Sequence, residues 1–439
     1  MRSSNLAATA ALTVLLSFPA LPAGAGAAPE GAPLTLDEAL RRTRAASPLL
    51  RAGELDVHAR EALVDQAGRL PNPVLELEAE NVAGSGPLAG TGSAEWTLSV
   101  SQPVPLGGRR RAEVLLASLE RDLAAVDREA ATLDAVAATS AAFWRVLVAQ
   151  DRVALSRELL DLARRFEETV AARVEAGRAA PVASTRARIQ VARARTRLAR
   201  ARRELAAARS ALAANWGAAA PGFGEVRATV PPPSPVPPWE RLAPFLDSVP
   251  AARRAELEIR RAEAAARLER ARIVPGMDVR VGRREFAETG DRAWVASVGL
   301  PLPVFDRRRD ARRAALLDTA RTRALAEGIR ARLAAELQAA RQRLAAATAE
   351  LVSLREEVVP AAEEAFSLVE IGYREGKFGF LDVLDVQRDL ASARELLLEA
   401  LEEYLLARVD LERRLGRPLS TLAGGGARRE EGEPIGGDR

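Results

Sequence analysis

The sequence has no cysteine, one histidine (His58) and one lysine (Lys377) among its 439 residues. Disulfides, thiolate chemistry and a lipid-modified N-terminal cysteine are therefore excluded. With one imidazole and no thiol, histidine triads, zinc sites and soft-metal cages lack their usual components. His58 alone reads as a surface residue of a helix. Aromatic residues make up only 4 % of the chain. There is no G-x-x-x-x-G-K-S/T phosphate loop and no dinucleotide-binding glycine fingerprint. No cofactor is implied and the chain is not expected to be an enzyme. An excess of one charge is missing too: 28 % of residues are charged, yet the net charge is only +4. Arginine alternates with glutamate and alanine, which describes a solvated helix face and not a nucleic-acid surface.

Long hydrophobic runs are equally scarce. Arg2 precedes an apolar stretch, Leu6 to Leu21, interrupted by Pro19 and followed by small residues, Ala23 to Ala28. This is the pattern of a secretory signal peptide, with cleavage after Ala25, Ala27 or Ala28. No later run reaches about 18 apolar residues, so no transmembrane helix is expected. A chain of this kind that spans a bilayer has to do so as a β-barrel.

What is present is a duplication. Residues 47–80 align with 249–282 without a gap: Pro48, Arg51, Glu54, Leu55, Glu61, Ala62 and Pro73 meet Pro250, Arg253, Glu256, Leu257, Glu263, Ala264 and Pro275. WTLSVSQPVPLGGRRR (96–111) meets WVASVGLPLPVFDRRR (294–309), and Gly177 and Gly217 meet Gly376 and Gly416. The proline-rich PPPSPVPP (231–238) lies between the copies and reads as a stiff extended linker. The expected organisation is a signal peptide (1–27) and a first repeat (28–230) with strands 73–83 and 93–103 and a helical hairpin over 109–217. The linker (231–240) precedes a second repeat (241–420) with strands 275–285 and 292–302 and a hairpin over 307–416. A disordered tail (421–439) ends the chain.

The first arm of each hairpin runs for about 67 residues, or about 100 Å at 1.5 Å per residue. In the final helix Val383, Leu390, Leu397, Tyr404 and Leu411 recur every seven residues, with Val386, Ala393, Ala400 and Ala407 as companions. That is a heptad seam whose small row permits close approach. A second row, Leu384, Ala391, Leu398 and Leu405, lies around the same helix. Two seams call for two neighbours, as in a barrel of helices; a plain coiled-coil hairpin is the simpler alternative.

The strands alternate strictly. Leu75, Leu77 and Ala79 oppose Glu76, Glu78 and Glu80, and Trp96, Leu98 and Val100 oppose Thr97, Ser99 and Ser101. The second copy repeats this with Met277, Val279 and Val281, then Trp294, Ala296, Val298 and Leu300. One apolar and one polar face suit a transmembrane barrel; solvent-facing hairpins packed on helices would alternate in the same way. Trp96 and Trp294 suit a membrane–water interface. Arg109 and Arg110, like Arg307 and Arg308, follow the outgoing strand, where arginine reaches lipid phosphate. Four strands cannot close a membrane barrel, so the barrel has to be shared between chains.

With these features in place the mature chain resembles the TolC-like outer membrane efflux protein family. LPNPVLELEAEN (70–81) and SQPVPLGGRRR (101–111) resemble its CzcC-type, heavy-metal efflux branch; GYREGKFGFLDVLDVQRDL (372–390) and DLERRLG (410–416) resemble the family's second-half turn and closing helix. The resemblance implies a mainly α fold with a small β part. Duplicated long antiparallel helical hairpins form an α-barrel, and four transmembrane β-strands per protomer contribute to a shared β-barrel. It implies a homo-trimer in the outer membrane, a periplasmic adaptor (membrane fusion) protein and an inner-membrane proton-driven RND-type transporter as partners, and no nucleic acid. The implied function is a passive exit duct from periplasm to exterior for metal cations or other small toxic solutes. The same resemblance puts adaptor contacts at the tip turns (Arg173, Gly177, Arg178, Gly376, Lys377) and a constriction at Asp382 and Asp385, with Tyr373 and Arg374 nearby. A periplasmic coiled-coil adaptor or scaffold that never enters lipid is the alternative.

Overall fold

The computed structural model describes residues 33–423; the expected signal peptide lies outside them, as does most of the expected tail. The helices are α1 (Leu36–Ala46), α2 (Pro48–Ala67), α3 (Arg109–Glu175), α4 (Pro181–Ala214), the single turn α5 (Trp239–Leu242), α6 (Pro250–Ala271), α7 (Arg309–Ser353), α8 (Val359–Arg374), α9 (Phe380–Leu415) and a last turn α10 (Ser420–Ala423). The strands are β1 (Val74–Glu80), β2 (Glu95–Val104), β3 (Met277–Phe286) and β4 (Arg292–Gly299).

The rods form because alanine, leucine and arginine dominate them and, apart from Gly328 in α7 and Pro360 in the second rod, glycine and proline are kept near their ends. Near the strands the helices pack in the order α2–α3–α6–α7; beyond the middle α3 packs against α4 and α9, and α9 against α8. The α9 seams are buried as two rows, Val383, Leu390, Tyr404 and Leu411 in one and Leu384, Ala391 and Leu405 in the other. They serve three neighbours, α3, α7 and α8, which is a layer of helices and not an isolated hairpin. The central core gathers Phe143, Trp144, Val146 and Val148 of α3 with Leu212, Leu337, Tyr404 and Leu411. One window of α3 is long and apolar enough to cross a membrane, but half of it is buried in the protein. Its apolarity is that of a core rod.

The four rod ends repeat one device. At the α3 terminus Gly177 N–H donates to Val174 O (3.0 Å) and Arg178 N–H to Arg173 O (2.8 Å); at the α8 terminus Gly376 N–H donates to Tyr373 O (3.1 Å) and Lys377 N–H to Gly372 O (2.8 Å). The same pair of bonds closes α4 around Gly217 and α9 around Gly416. All four glycines have positive φ, between 68° and 82°. These are Schellman motifs, in which a left-handed residue satisfies the last carbonyls.

The duplication is unequal by one residue. The arginine triplets are offset by 198 positions (109 to 307), whereas the tip glycines are offset by 199 (177 to 376). The extra residue falls within the second rod, where a π-helical turn, Leu354–Val358, separates α7 from α8. A π turn carries one residue more than the α turn it replaces. Pro360, which has no N–H to donate, follows one residue beyond it. The expected single rod over 307–374 is therefore two helices joined by this turn, and it starts at Arg309.

The proline-rich segment, expected as a stiff extended linker, lies across the rods: Tyr404 Oη donates to Pro232 O (3.0 Å) and Arg341 Nε to Pro237 O (2.9 Å). One further expectation is corrected. The expected disordered tail overlaps the last helical turn, where Leu422 packs on the core.

We expect deletion of Glu356 to convert the π turn to plain α-helix and leave the denaturant midpoint close to that of the parent. Deletion of Arg157 at the matching level of α3 should rotate the lower rod by about 100°. It would withdraw Phe166 and fully buried Val170 from their neighbours, at a cost of about 5 kcal/mol. Parallel unfolding curves of the two deletions check this.

Candidate functional site

The strands form one antiparallel sheet in the order β1–β2–β3–β4, with β1 and β4 as open edges. Its register places Leu75, Val100, Val281 and Ala296 in one outward row and Leu77, Leu98, Arg283 and Trp294 in the next, with Arg283 the one charged member of the two rows. This face is uncovered: Leu75 is 70 % exposed, Leu77 67 %, Val298 67 % and Trp294 81 %. The buried residues of β2 are the polar ones, Thr97, Ser99 and Ser101. A water-soluble sheet has the opposite sense, with apolar residues inside and polar ones outside.

Charges knit the inner face together. Arg280 reaches Glu76 (2.6 Å), and Arg284 reaches Glu80 and Glu95 (2.8 Å each). Arg284 Nε also donates to Thr97 Oγ1 (2.9 Å). These contacts run across the strands and curl the sheet around its polar side. Gly282 permits the curl, since a Cβ there would lie 2.6 Å from Ser99 Cβ. Glu78 and Asp278 share this side, so acids outnumber bases on it.

Trp96 and Trp294 lie toward the loop end of the sheet, both exposed on the outward face. At the opposite end Arg109 begins α3 and pairs with Glu113 (2.8 Å), while Arg110 is exposed beside it. Arg307 is exposed. Arg308 is not free to reach lipid: its guanidinium holds Glu269 of α6 through two bonds (2.9 and 3.2 Å). Burial raises the Glu269 pKa, but hydrogen bonds from Arg308 and Arg272 outweigh it and hold the carboxyl below its usual range.

The tip turns meet at the far end of the rods. Arg173 lies between the hairpins and not on their outer surface. Its Nη1 donates to Tyr373 O (2.6 Å), and its guanidinium covers the Tyr373 ring at 4.4 Å. Tyr373 is 4 % exposed and packs against Phe166, which stacks on Phe380. Burial raises the Tyr373 phenol pKa, partly offset by the Arg173 charge. Arg374 is exposed and paired with Glu370 (2.7 Å). A cavity of about 380 Å³ opens between α3, α8 and α9, lined by Tyr373, Arg374, Phe166, Val383 and Arg394 among others. Arg394 closes its upper end, bonding Glu158 of α3 and Glu363 of α8 at 2.7 Å each.

Asp382 and Asp385 lie on another flank of α9 from the cavity residues Val383 and Leu390, and both are exposed. Asp382 Oδ2 accepts from Gly379 N–H (2.7 Å), so it occupies the third position of a capping box and not the N-cap itself. Asp385 faces Arg388 at 3.5 Å. Gly177, Arg178, Gly376 and Lys377 are all exposed, and Lys377 pairs with Glu375 (2.6 Å). The structure thus brings Tyr373, Arg374 and Arg173 together and separates them from the aspartates. The Glu158–Arg394–Glu363 triad is not visible from spacing, because its members are distant in sequence. Among the described residues no cluster of His, Cys, Asp or Glu is arranged to hold a metal ion.

Residues 39–218 and 245–417 match the profile of the family described as Outer membrane efflux protein. Over 182 residues the chain is 37 % identical to the cobalt-zinc-cadmium resistance protein CzcC of Cupriavidus metallidurans, a match covering 40 % of this chain and 43 % of that protein. The fold is similar to the outer-membrane channel OprN, with a TM-score of 0.75 at 21 % identity, covering 87 % of this chain and 89 % of that one. It is also similar to the outer membrane protein VceC of Vibrio cholerae, with a TM-score of 0.73 at 19 % identity, covering 87 % and 96 %.

Replacing Arg173 by Ala should destabilise the tip by about 2 kcal/mol, through loss of a charged hydrogen bond and a cation–π contact. A double-mutant cycle with Tyr373→Leu should recover about 0.5–1 kcal/mol of coupling from the ring contact alone. Additive unfolding energies would show that the two side chains do not interact.

Proposed function

The chain belongs to the outer membrane efflux protein family, and from that premise we propose that it is the passive exit duct of a tripartite pump, carrying metal cations or other small toxic solutes from periplasm to exterior. The observation that carries this reading is the inverted sheet. Leu75, Leu77, Trp294 and Val298 are offered to the surroundings while Thr97, Ser99 and Ser101 are buried. A periplasmic scaffold would gain nothing from that exposure, so the membrane-free alternative is not favoured. Nor is an enzyme, since the family consists of channel proteins.

Closure follows from the edges. β1 and β4 each leave a row of backbone groups unpaired, which hydrocarbon does not tolerate. The helices beside them carry matching apolar rows: Leu49, Leu55 and Leu63 on α2, and Leu316, Leu317, Leu325 and Ile329 on α7, are all exposed. Lower down, Val182 and Ile189 of α4 and Leu368 and Ile371 of α8 do the same. One side of a protomer therefore suits the opposite side of the next. That is a head-to-tail contact, which closes into a ring when the rotation permits. By family resemblance the ring has three protomers, which would give twelve strands in the barrel.

The similarity to CzcC supports cations as cargo. So does the excess of carboxylates on the inner face of the sheet, because a narrow lumen lined by acids attracts cations and repels anions. At the tip we assign Asp382 and Asp385 to a constriction facing the pore. They share one flank of α9 one helical turn apart, exposed in the protomer. Tyr373 acts one layer behind, holding the two hairpins together through Arg173, with Arg374 at the cavity mouth. The outer turns at Gly177, Arg178, Gly376 and Lys377 are left for the periplasmic adaptor, which joins the duct to an inner-membrane proton-driven transporter of the RND type. Trp96, Trp294, Arg109, Arg110 and Arg307 lie at the lipid interfaces, while Arg308 serves the junction with α6.

Two experiments test this. Asp382→Asn with Asp385→Asn keeps the capping oxygen at Asp382 and removes both charges. Block of the reconstituted pore by a multivalent cation should weaken several-fold, and unchanged block would remove the constriction from these residues. Leu55→Asp with Leu317→Asp should abolish the detergent-resistant oligomer. An intact oligomer would mean that the ring does not close through α2 and α7.

A further inference from the structure

The two copies of the strand-to-rod connection differ in one respect that the duplication does not require. In the first copy residues 102–108 are Gln-Pro-Val-Pro-Leu-Gly-Gly. Pro103 and Val104 there pair with Asp278 and Met277 of β3. A Cβ at Gly107 would lie 2.6 Å from Val274 Cβ, so no side chain fits. The matching position of the second copy is Phe305, on the open edge, and its side chain is fully exposed at 101 %. Leu302 (74 %) and Val304 (58 %) accompany it. Beyond the end of β4 at Gly299, Leu300, Leu302 and Val304 keep the every-second-residue spacing of Trp294, Ala296 and Val298, and all three are exposed. Asp306, whose Oδ1 accepts from Arg308 N–H (2.8 Å), comes next, and Arg307 and Arg309 beyond it are both exposed, while the Arg308 side chain is held by Glu269.

We propose that residues 300–309 form a lipid anchor in the periplasmic leaflet of the outer membrane, with Leu302, Val304 and Phe305 among the acyl chains and Arg307 and Arg309 at the phosphates. This rests on the reading of the sheet as part of a membrane barrel. Its geometry fits the bilayer. The strand β4 ends at Gly299, and Trp294 to Phe305 is eleven steps of chain, at most about 36 Å were all of it extended at ~3.3 Å per step. Tilted by about 40° that path rises at most about 28 Å, enough for the ~25 Å apolar band of outer-membrane barrels. Trp294 and Phe305 therefore bracket the hydrocarbon, one at each face. Exposed arginine next to an apolar plug is complementary to a layer of phosphates above acyl chains.

The absence of cysteine makes the test direct. Single variants Phe305→Cys, Val298→Cys (mid-strand, outward) and Glu288→Cys (loop) would carry a nitrobenzoxadiazole label in vesicles of phosphatidylcholine and phosphatidylglycerol. The label at 305 should be quenched most by nitroxide lipids spin-labelled near the headgroup, that at 298 by deeply labelled ones, and that at 288 by aqueous iodide. If the label at 305 follows iodide while that at 298 follows lipid, the anchor is wrong and the barrel stands. Disulfide capture of Phe305→Cys by Leu70→Cys of a neighbouring copy would also overturn it, by making this an intersubunit contact. If the label at 298 fails to respond to lipid, the barrel reading itself is wrong. As a check independent of labelling, Phe305→Asp should reduce the membrane-inserted fraction severalfold and Phe305→Trp should restore it; equal insertion of both variants would count against the anchor.

Discussion

Every backbone N–H and C=O that enters hydrocarbon has to find a partner, because no water is there to take its place. In a helix the partners are local, but in a sheet they lie on the next strand, and here the next strand runs out twice. The protomer supplies four strands and two open edges. That shortfall governs the rest of the molecule. The sheet curls around its polar side, drawn in by Arg280 and Arg284 reaching across to Glu76, Glu80 and Glu95. The flanking rods leave leucines uncovered on both lateral sides, and the duplication places strands and rods in one order around the protomer. A chain designed to be complete alone would have buried those leucines and charged those edges.

The rods carry the same incompleteness down their length. Each is one helix thick, so a side chain reaches both surfaces of the layer and cannot be hidden in a second shell. Burial is confined to lateral contacts, which explains why alanine and leucine alternate along the seams: alanine lets helix axes approach and leucine fills the remaining gap. It also explains why the largest cluster of fully buried side chains lies midway, where α1, the linker and α5 wrap the rods and add the missing layer. Phe143, Trp144 and Tyr404 are affordable only there.

Much of this was legible in sequence because it depends on periodicity. Seven-residue rows predicted the seams, alternation at every second residue predicted the sheet faces, and glycines at matching places in the two copies predicted the turns. What stayed hidden depends on azimuth and on pairings distant in sequence. Nothing in the spacing of Tyr373 says whether it faces a pore or a neighbouring rod; packing against Phe166 and Arg173 turns it inward. Arg308 reads the same as Arg307 until Glu269, from another helix, claims it. Helix α1 was missed although Thr35 and Glu38 carry a start signal: Glu38 N–H donates to Thr35 Oγ1 at 3.3 Å. The pairing of Arg394 with Glu158 joins residues 236 positions apart, beyond the reach of any local pattern.

The unequal copies are where the two halves of the protomer separate in role. The first rod is continuous and ends on Arg173, a side chain that reaches across to the other hairpin. The second rod is interrupted by the π turn at Leu354–Val358, and only its hairpin presents Asp382 and Asp385, where the first copy has Ala183 and Arg186. A π turn followed by proline weakens the hydrogen-bond ladder at one level, so bending is concentrated there instead of spread along the rod. Below that level the second hairpin is held to the first by few polar links: Arg394 to Glu158, Arg197 to Glu395, and Arg173 to Tyr373. The half that carries Asp382 and Asp385 is thus the half with a break in its rod, while the unbroken first rod supplies the frame against which it is held.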